Sequence, residues 1–154
     1  MITLSRVDSR LIHGQVIEAW LPYLKVDRVV VADDAAAHDD LARAAYEMAV
    51  PPEVEVVLAA VDKLDFRALA QDSVRTLVLF RDVRSAVFAR ERGLPNGTLN
   101  LGNVHAGPGR VAVSRSVFLD DADTLALQHL AASGMSVEVQ AVPNEPPQLG
   151  TFQR

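Results

Sequence analysis

The chain contains no cysteine, which excludes a disulfide framework, a thiolate nucleophile and a cysteine-held zinc or iron–sulfur centre. No apolar run approaches the ~20 residues that a membrane-spanning helix requires. The N-terminus lacks the basic stretch, apolar run and small-residue cleavage site of a signal peptide. The expectation is a cytoplasmic protein with no direct membrane insertion, linked to any membrane through a partner. Positive charge is also short. Fifteen Lys and Arg against twenty Asp and Glu give a net charge of −5, which argues against a general nucleic-acid binder. Lysine occurs only as Lys25 and Lys63, a bias of composition read without functional content. The phosphate-binding string Gly-x-x-x-x-Gly-Lys-Ser/Thr is absent, and Gly107-Pro108-Gly109 does not make a dinucleotide fingerprint. With no visible means of binding a nucleotide donor, an ATP-dependent kinase is disfavoured.

What is present reads as one domain, residues 1–154, large enough to bury a core without metals or disulfides. Hydrophobic residues at 49% and charged residues at 23% are values of an ordinary globular protein. Strands are predicted at residues 28–32, 54–58, 76–80 and 137–141, with a shorter one at 98–101 and a first one around Ile2 and Leu4. The middle runs are almost wholly apolar, as strands covered on both faces are. Helical patterns lie between them at 14–24, 38–49, 61–72, 82–92 and 121–133. The first carries Ile17, Trp20, Leu21 and Leu24 on one face. The last begins with acidic residues at Asp120 and Asp121 and stops at Gly134. This alternation predicts a single-domain α/β fold with a mainly parallel, open twisted sheet and helices on both faces, doubly wound. Residues 110–113 and 117–119 read as an edge excursion. Residues 142–154, with three prolines at 143, 146 and 147, read as a surface tail.

The chemistry concentrates in Arg6-Val7-Asp8-Ser9-Arg10-Leu11-Ile12-His13-Gly14-Gln15-Val16. An apolar strand runs into a loop holding two arginines, an aspartate and a histidine, and a helix opens after Gly14. The carboxyl ends of strands are where ligands collect in an open parallel sheet. A histidine there can take up a phosphoryl group, and the arginines and free N–H groups of the helix start can hold its charge. Arg6 and Arg10 carry planar forks suited to phosphoryl oxygens, an arrangement lysine does not copy. Two roles are open to Asp8: orienting the imidazole, or pinning an arginine, the second favoured because a carboxylate repels a phosphoryl group. Gly14 lets phosphate approach the backbone, and Gln15 either donates a hydrogen bond or caps the first turn. Taken singly, Ser9, Asp8 and Arg10 are a turn residue and two solvated charges; the block as a whole is what carries the signal. Among the other histidines, His38 reads as exposed, His129 as a boundary residue, and His105 as a surface loop residue with a supporting role near His13 as the lesser alternative. Nothing in the spacing demands a metal at Asp8, His13 and His105.

These eleven positions resemble the first loop of the enzyme IIB component of the bacterial phosphotransferase system, mannose/fructose/sorbose class, which reads Arg-(Ile/Val)-Asp-x-Arg-(Leu/Phe)-Ile-His-Gly-Gln-(Val/Ile). Weaker matches follow in the same order. Val30-Val31-Ala32-Asp33-Asp34 is similar to the second strand and its acidic turn. Residues 48–56 are similar to Met-x-x-Pro-Pro-Gly-Val-x-Val, with Glu53 where glycine is usual. Asn100-Leu101-Gly102-Asn103 is similar to Asn-(Val/Ile)-Gly-Gly, with Asn103 in place of the second glycine and expected to take the left-handed turn that asparagine tolerates. Gly134 to Val139, then Val142-Pro143, are similar to the usual ending.

The resemblance implies that His13 is the phosphoryl acceptor, through Nδ1. It implies a phosphohistidine IIA protein or domain as donor, membrane subunits IIC and IID as partners, a sugar hydroxyl as final acceptor, and no dissociable cofactor. A neutral imidazole is a suitable nucleophile near neutral pH. The rival reading is a regulatory histidine phosphoacceptor uncoupled from transport, which neighbouring genes for IIC and IID would disfavour. A nucleotide-binding α/β enzyme ranks below both, because Arg6–His13 is not a glycine-rich turn.

Overall fold

The computed structural model describes residues 1–148 and Phe152. Six strands form one parallel sheet: β1 (Ile2–Asp8), β2 (Arg28–Ala32), β3 (Glu55–Ala59), β4 (Thr76–Phe80), β5 (Thr98–Asn103) and β8 (Ser136–Val139). Their order is β3-β2-β4-β1-β5-β8. Between β5 and β8 the chain makes a small antiparallel hairpin, β6 (Val111–Ala112) with β7 (Phe118–Leu119), in the span read as an edge excursion.

Strand alternation divides the core in two. Val29, Val31, Leu77 and Leu79 face one side and pack with Leu11, Val16, Trp20 and Leu21. Val30, Ala32, Val78 and Phe80 face the other and pack with Phe66, Ala86 and Leu127. Both faces of β4 are therefore covered, and all five of its residues are buried, as its unbroken apolar run requires.

The helices are α1 (Val16–Trp20 continuing through Leu21–Leu24), α2 (Asp34–Ala37), α3 (Asp40–Ala49), α4 (Phe66–Gln71), α5 (Val83–Glu91) and α6 (Asp121–Ala132). Aspartates set where they begin. Asp33, Asp39, Asp65, Asp82 and Asp120 each accept a backbone N–H three residues on, satisfying donors that an open helix end leaves bare. The helix predicted at 38–49 is found as α3, and the separately capped short α2 precedes it, outside the predicted span. The one predicted at 61–72 is split into a 3₁₀ turn (Val61–Lys63) and α4. Gly134 at φ +107° follows α6, the left-handed stop its glycine permits. Outside β8, Gln148 exchanges two backbone hydrogen bonds with Val139, both 2.9 Å, and Phe152 is buried in the core.

Strand β1 runs farther than its apolar residues suggest, through Arg6 to Asp8. Arg6 and Asp8 are thus strand residues and not loop residues. From β1 the chain turns toward β2, whereas from β5 it moves the opposite way toward β8. That divergence opens a crevice at the carboxyl ends of β1 and β5, the switch point where ligands bind in sheets of this kind.

Candidate active site at the carboxyl ends of β1 and β5

Arg6 and Asp8 stand two residues apart on β1, so both side chains leave the same face. Both are fully buried, which is tolerable only because each charge is matched. The Arg6 guanidinium donates through Nε (3.3 Å) and Nη2 (3.2 Å) to Asp8 Oδ2, and through Nη1 to Asn100 Oδ1 (2.5 Å) and the Gln140 carbonyl (3.1 Å). Nη2 also reaches Gln15 Oε1 (3.2 Å) and the Ala141 carbonyl (3.0 Å). All five N–H groups of Arg6 are therefore engaged inside the protein. Its Cζ lies 4.9 Å from the centre of the Trp20 ring, within cation–π range. The same Ala141 carbonyl accepts the Trp20 indole N–H at 2.9 Å. Burial pulls the Arg6 pKa below its ordinary value, and Asp8 opposes that pull.

Asp8 is the hub. Besides Arg6, its Oδ2 meets His13 Nε2 at 2.8 Å and accepts from Asn103 Nδ2 at 3.0 Å, and its Oδ1 accepts the Arg10 backbone N–H at 3.0 Å. Burial alone pushes this carboxyl upward. The His13 hydrogen bond, the Arg6 charge and the Asn103 amide outweigh it and hold Asp8 below the usual carboxylate range. Both roles open to Asp8 from the sequence are filled by one group: it contacts the imidazole and it pins Arg6. An ionised carboxylate only accepts, so the partner arrangement assigns the proton to His13 Nε2. In the neutral ring Nδ1 then carries the lone pair.

The path from Asp8 to His13 is a tight turn. Leu11 N–H returns to the Asp8 carbonyl at 3.0 Å, and Leu11 takes a left-handed φ of +57°. For a non-glycine residue this costs about 1–2 kcal/mol. Full burial of the Leu11 side chain, worth about 1.5–3 kcal/mol, offsets it. Ser9 then ties the turn to β5, donating to the Asn103 carbonyl at 2.8 Å and accepting the His105 backbone N–H at 3.2 Å.

The remaining candidates are placed as follows. Arg10 is exposed, and its guanidinium has no hydrogen bond or ion pair among the described residues. Gly14 is exposed, with nothing within 4 Å of where a Cβ would stand. Gln15 makes no capping bond; its carbonyl accepts from Arg6 and from Asn103 (3.1 Å), and its amide nitrogen is uncommitted among the described residues. His105 and His38 are exposed, and so is His129, expected at a boundary. No group of three or more His, Asp or Glu residues is arranged to hold a metal among the described residues. No described helix is long and apolar enough to cross a membrane.

Three participants lie outside what the sequence indicates. Its pattern marks Trp20 only as part of an apolar face, yet the ring covers Arg6. Gly102 matters because an added Cβ would collide with the Arg6 guanidinium. Asn103, expected in a left-handed turn, instead ends β5 in register with Asp8, without positive φ, because its side chain has a bonding task that an extended backbone serves.

Nearby, at the ends of β2 and β4, Arg81 grips Asp33 with two bonds of 3.1 and 2.8 Å. Burial raises Asp33, but the Arg81 hydrogen bond and the capping bond from Ala36 prevail and lower it. Asp8 and Asp33 thus both titrate below their unfolded value of about 4. Their contribution to stability is complete above that value and is lost as pH falls through the folded ones. Thermal unfolding followed by circular dichroism is expected to give a midpoint level from about pH 7 to 5, declining below about pH 4. A midpoint insensitive to acid down to about pH 2 would mean that neither carboxylate is held as described.

Comparison with known proteins gives a consistent family. The model described as PTS system sorbose subfamily IIB component matches residues 2–149. The N-acetylgalactosamine-specific phosphotransferase enzyme IIB component 2 of Escherichia coli K12 is 32% identical over 146 residues, covering 94% of this chain and 93% of that protein. The crystal structure of the IIBSor domain of the sorbose permease from Klebsiella pneumoniae superposes with a TM-score of 0.87 at 27% identity, covering 97% of this chain and 93% of that one. The mannose-specific EIIAB component of Escherichia coli K12 is 29% identical over 148 residues, 95% of this chain but 46% of that protein.

Proposed function

The chain belongs to the sorbose subfamily of phosphotransferase-system IIB components, and from that premise we propose that His13 Nδ1 is the phosphoryl acceptor of the site. As a member of this family the protein is a phosphotransferase, a phosphocarrier of a sugar phosphotransferase system. The observation that carries the residue assignment is the 2.8 Å contact of His13 Nε2 with buried Asp8. It fixes the ring, keeps the proton on Nε2 and leaves Nδ1 as the nucleophile.

In the proposed cycle the Nδ1 lone pair attacks the phosphorus of a phosphohistidine on a IIA protein or domain. The donor P–N bond breaks, its electrons return to the donor imidazole, and Nε2–H of His13 stays on Asp8 throughout. In the second step a sugar hydroxyl held by the membrane subunits IIC and IID attacks the same phosphorus and gives its proton to solvent, the Nδ1–P bond breaks, and Nδ1 recovers its pair. A loose phosphoryl transition state asks the protein for position and charge stabilisation and little else. Arg10, with an uncommitted guanidinium, meets the phosphoryl oxygens. Arg6 acts through Asp8, its own N–H groups being engaged. Gly14 leaves room for the phosphate, and the Gln15 amide donates to it. Residues 1–154 act as one cytoplasmic IIB unit. The joined name of the mannose-specific EIIAB relative supports a IIA donor.

The test is to phosphorylate the protein through its donor relay and locate an acid-labile, base-stable phosphate by mass spectrometry. Phosphate on His13 is expected; stable phosphate elsewhere with His13 unmodified would end the reading. Arg10→Lys should slow transfer at least tenfold and leave folding unchanged. A fork that binds two oxygens is replaced by a point charge, and losing one charge-assisted bond costs about 1.5–3 kcal/mol. Transfer within about twofold of the parent would reduce Arg10 to a solvated charge. Docking of the donor is expected to depend on salt, because Arg10 beside His13 makes a local positive patch on a chain of net charge −5. Exposed charge is screened over ~8 Å at physiological ionic strength, so stopped-flow association should slow with salt more than dissociation does. An association rate indifferent to salt would place the donor on another face.

A further inference from the structure

Asn103 bridges the two functional arms of the site from a strand that carries neither of them. Its Nδ2 has two hydrogens and two partners: Asp8 Oδ2 at 3.0 Å and Gln15 Oε1 at 3.1 Å. The first partner orients His13; the second belongs to the residue at the opening of α1. No other polar side chain in the site except Arg6, which lies beneath both, touches the two.

We propose that Asn103 is a positioning residue for phosphoryl transfer at His13, holding Asp8 against the imidazole and turning the Gln15 amide outward as a donor to the phosphoryl group. The inference rests on His13 being the acceptor.

The geometry explains why an amide is needed. A carboxamide orients itself by its partners, since its oxygen and nitrogen ends are alike in shape. With Arg6 Nη2 and Asn103 Nδ2 both aimed at one end of Gln15, that end must be the carbonyl. The NH₂ end is thereby forced to the far side of the group and stays uncommitted. Without Asn103, Gln15 keeps one donor from Arg6, and its amide loses the second fixed point. Asp8 likewise loses the partner that lies outside its own strand and loop. Arg6 at position i−2, Arg10 at i+2 and His13 at i+5 all move with the segment that carries Asp8, whereas Asn103 is anchored on β5, and its own carbonyl holds Ser9 N–H at 2.8 Å. The asparagine therefore fixes the β1 turn to the neighbouring strand by backbone and by side chain at once. A phosphoryl group entering beside Gly14 meets donors already aimed, which saves the reorganisation that slows transfer in water.

The decisive variants are Asn103→Ala, which removes the amide, and the isosteric Asn103→Asp, which keeps the shape but replaces a donor by an acceptor facing two acceptors. Two donors are used: the phosphorylated relay protein, and phosphoramidate, a small N–P donor that needs no docking surface. With both donors, each variant is expected to label His13 at least about tenfold more slowly than the parent, by analogy with the loss when the outer hydrogen-bond partners of metal-ligating histidines are removed. The half-saturating concentration of the relay protein should stay within about twofold. The Gln15 side-chain amide signals in ¹⁵N–¹H spectra, distinct in the parent, should move toward those of a free carboxamide. A merely structural asparagine would lower the unfolding temperature without this split, and the isostere would restore the rate. Labelling of His13 at the parental rate by both folded variants, or an unmoved Gln15 amide, overturns the proposal while His13 remains the acceptor. Failure of the parent to label at His13 overturns the proposed function and this inference together.

Discussion

Replacing His13 with alanine is expected to abolish phosphoryl acceptance and leave a folded protein. The ring makes one polar contact of note, with Asp8, and takes no part in either apolar cluster. Once it is gone, Asp8 still accepts from Arg6 through two nitrogens, from Asn103 and from the Arg10 backbone, so no buried charge is orphaned. Loss of a hydrogen bond to a charged group costs about 1.5–3 kcal/mol, which a domain of this length registers as roughly 5 °C. Chemistry has no such reserve. The other histidines, His38, His105 and His129, are exposed, and none is joined to a buried carboxylate by a hydrogen bond or ion pair among the described residues. Mass spectrometry after incubation with the relay, together with a thermal melt, decides both halves. Residual labelling above about one per cent of the parental rate, or phosphate on His105, would remove His13 from its assigned role.

The same residue shows how far the sequence could be read. The histidine, its glycine and the flanking charges lie within nine positions, Arg6 to Gly14, so the string itself marks the acceptor and its loop. The strands were equally plain. Val29, Val30 and Val31, or Leu77, Val78 and Leu79, are apolar without interruption because helices cover both faces, and an apolar run too short for a buried helix is then a strand. Helix starts were less plain. Aspartate is common on surfaces, and nothing local says that Asp33 opens a short helix of its own ahead of the one that Asp39 caps.

Arg6 and Asp8 were marked as site residues, and Asp8 as a pin for an arginine, but the burial of this charged end of β1 was not legible. Nothing local says that two such charges lie inside, because isolated charges are almost never fully buried. What buries Arg6 is a set of acceptors 94 to 135 positions away, on Asn100, Gln140 and Ala141. Only the assembled sheet brings β1, β5 and the end of β8 together. Asn103 departs from its expected turn for a related reason. Its backbone preference favours a turn, and the pull of Asp8 and Gln15 on its side chain decides otherwise. The string of residues thus marks the reacting group but not the scaffold that aims it.

That scaffold has one point at which a single methyl group should disable it. Gly102→Ala is expected to produce the largest loss of stability of any conservative change near the site. The added Cβ would collide with the Arg6 guanidinium, on Cζ and both terminal nitrogens. A flexible surface arginine would swing aside. Arg6 is fully buried, covered by Trp20 on one side and bonded by all five of its N–H groups, so no rotamer avoids the clash without breaking several bonds at once. If the backbone of β5 yields instead, the registers Arg6↔Asn100 and Val7↔Leu101 are disturbed and Asn103 moves with them. Overpacking a tight interior costs about 1–3 kcal/mol. Parting a buried ion pair costs about 3–5 kcal/mol, because the charge left behind is uncompensated. Even the lower end of the second figure lowers the unfolding temperature by about 10 °C in a domain of this size. Transfer should fall as well, since Asp8 loses one of the partners that keep it ionised and in place. Pairing the substitution with Arg6→Met separates the causes: with the guanidinium gone the methyl group at 102 has space, so the double variant should be destabilised by less than the sum of the two single ones. Strict additivity, or a Gly102→Ala melt within about 2 °C of the parent, would mean that Arg6 is free to leave and that Asp8 is held by its other partners alone.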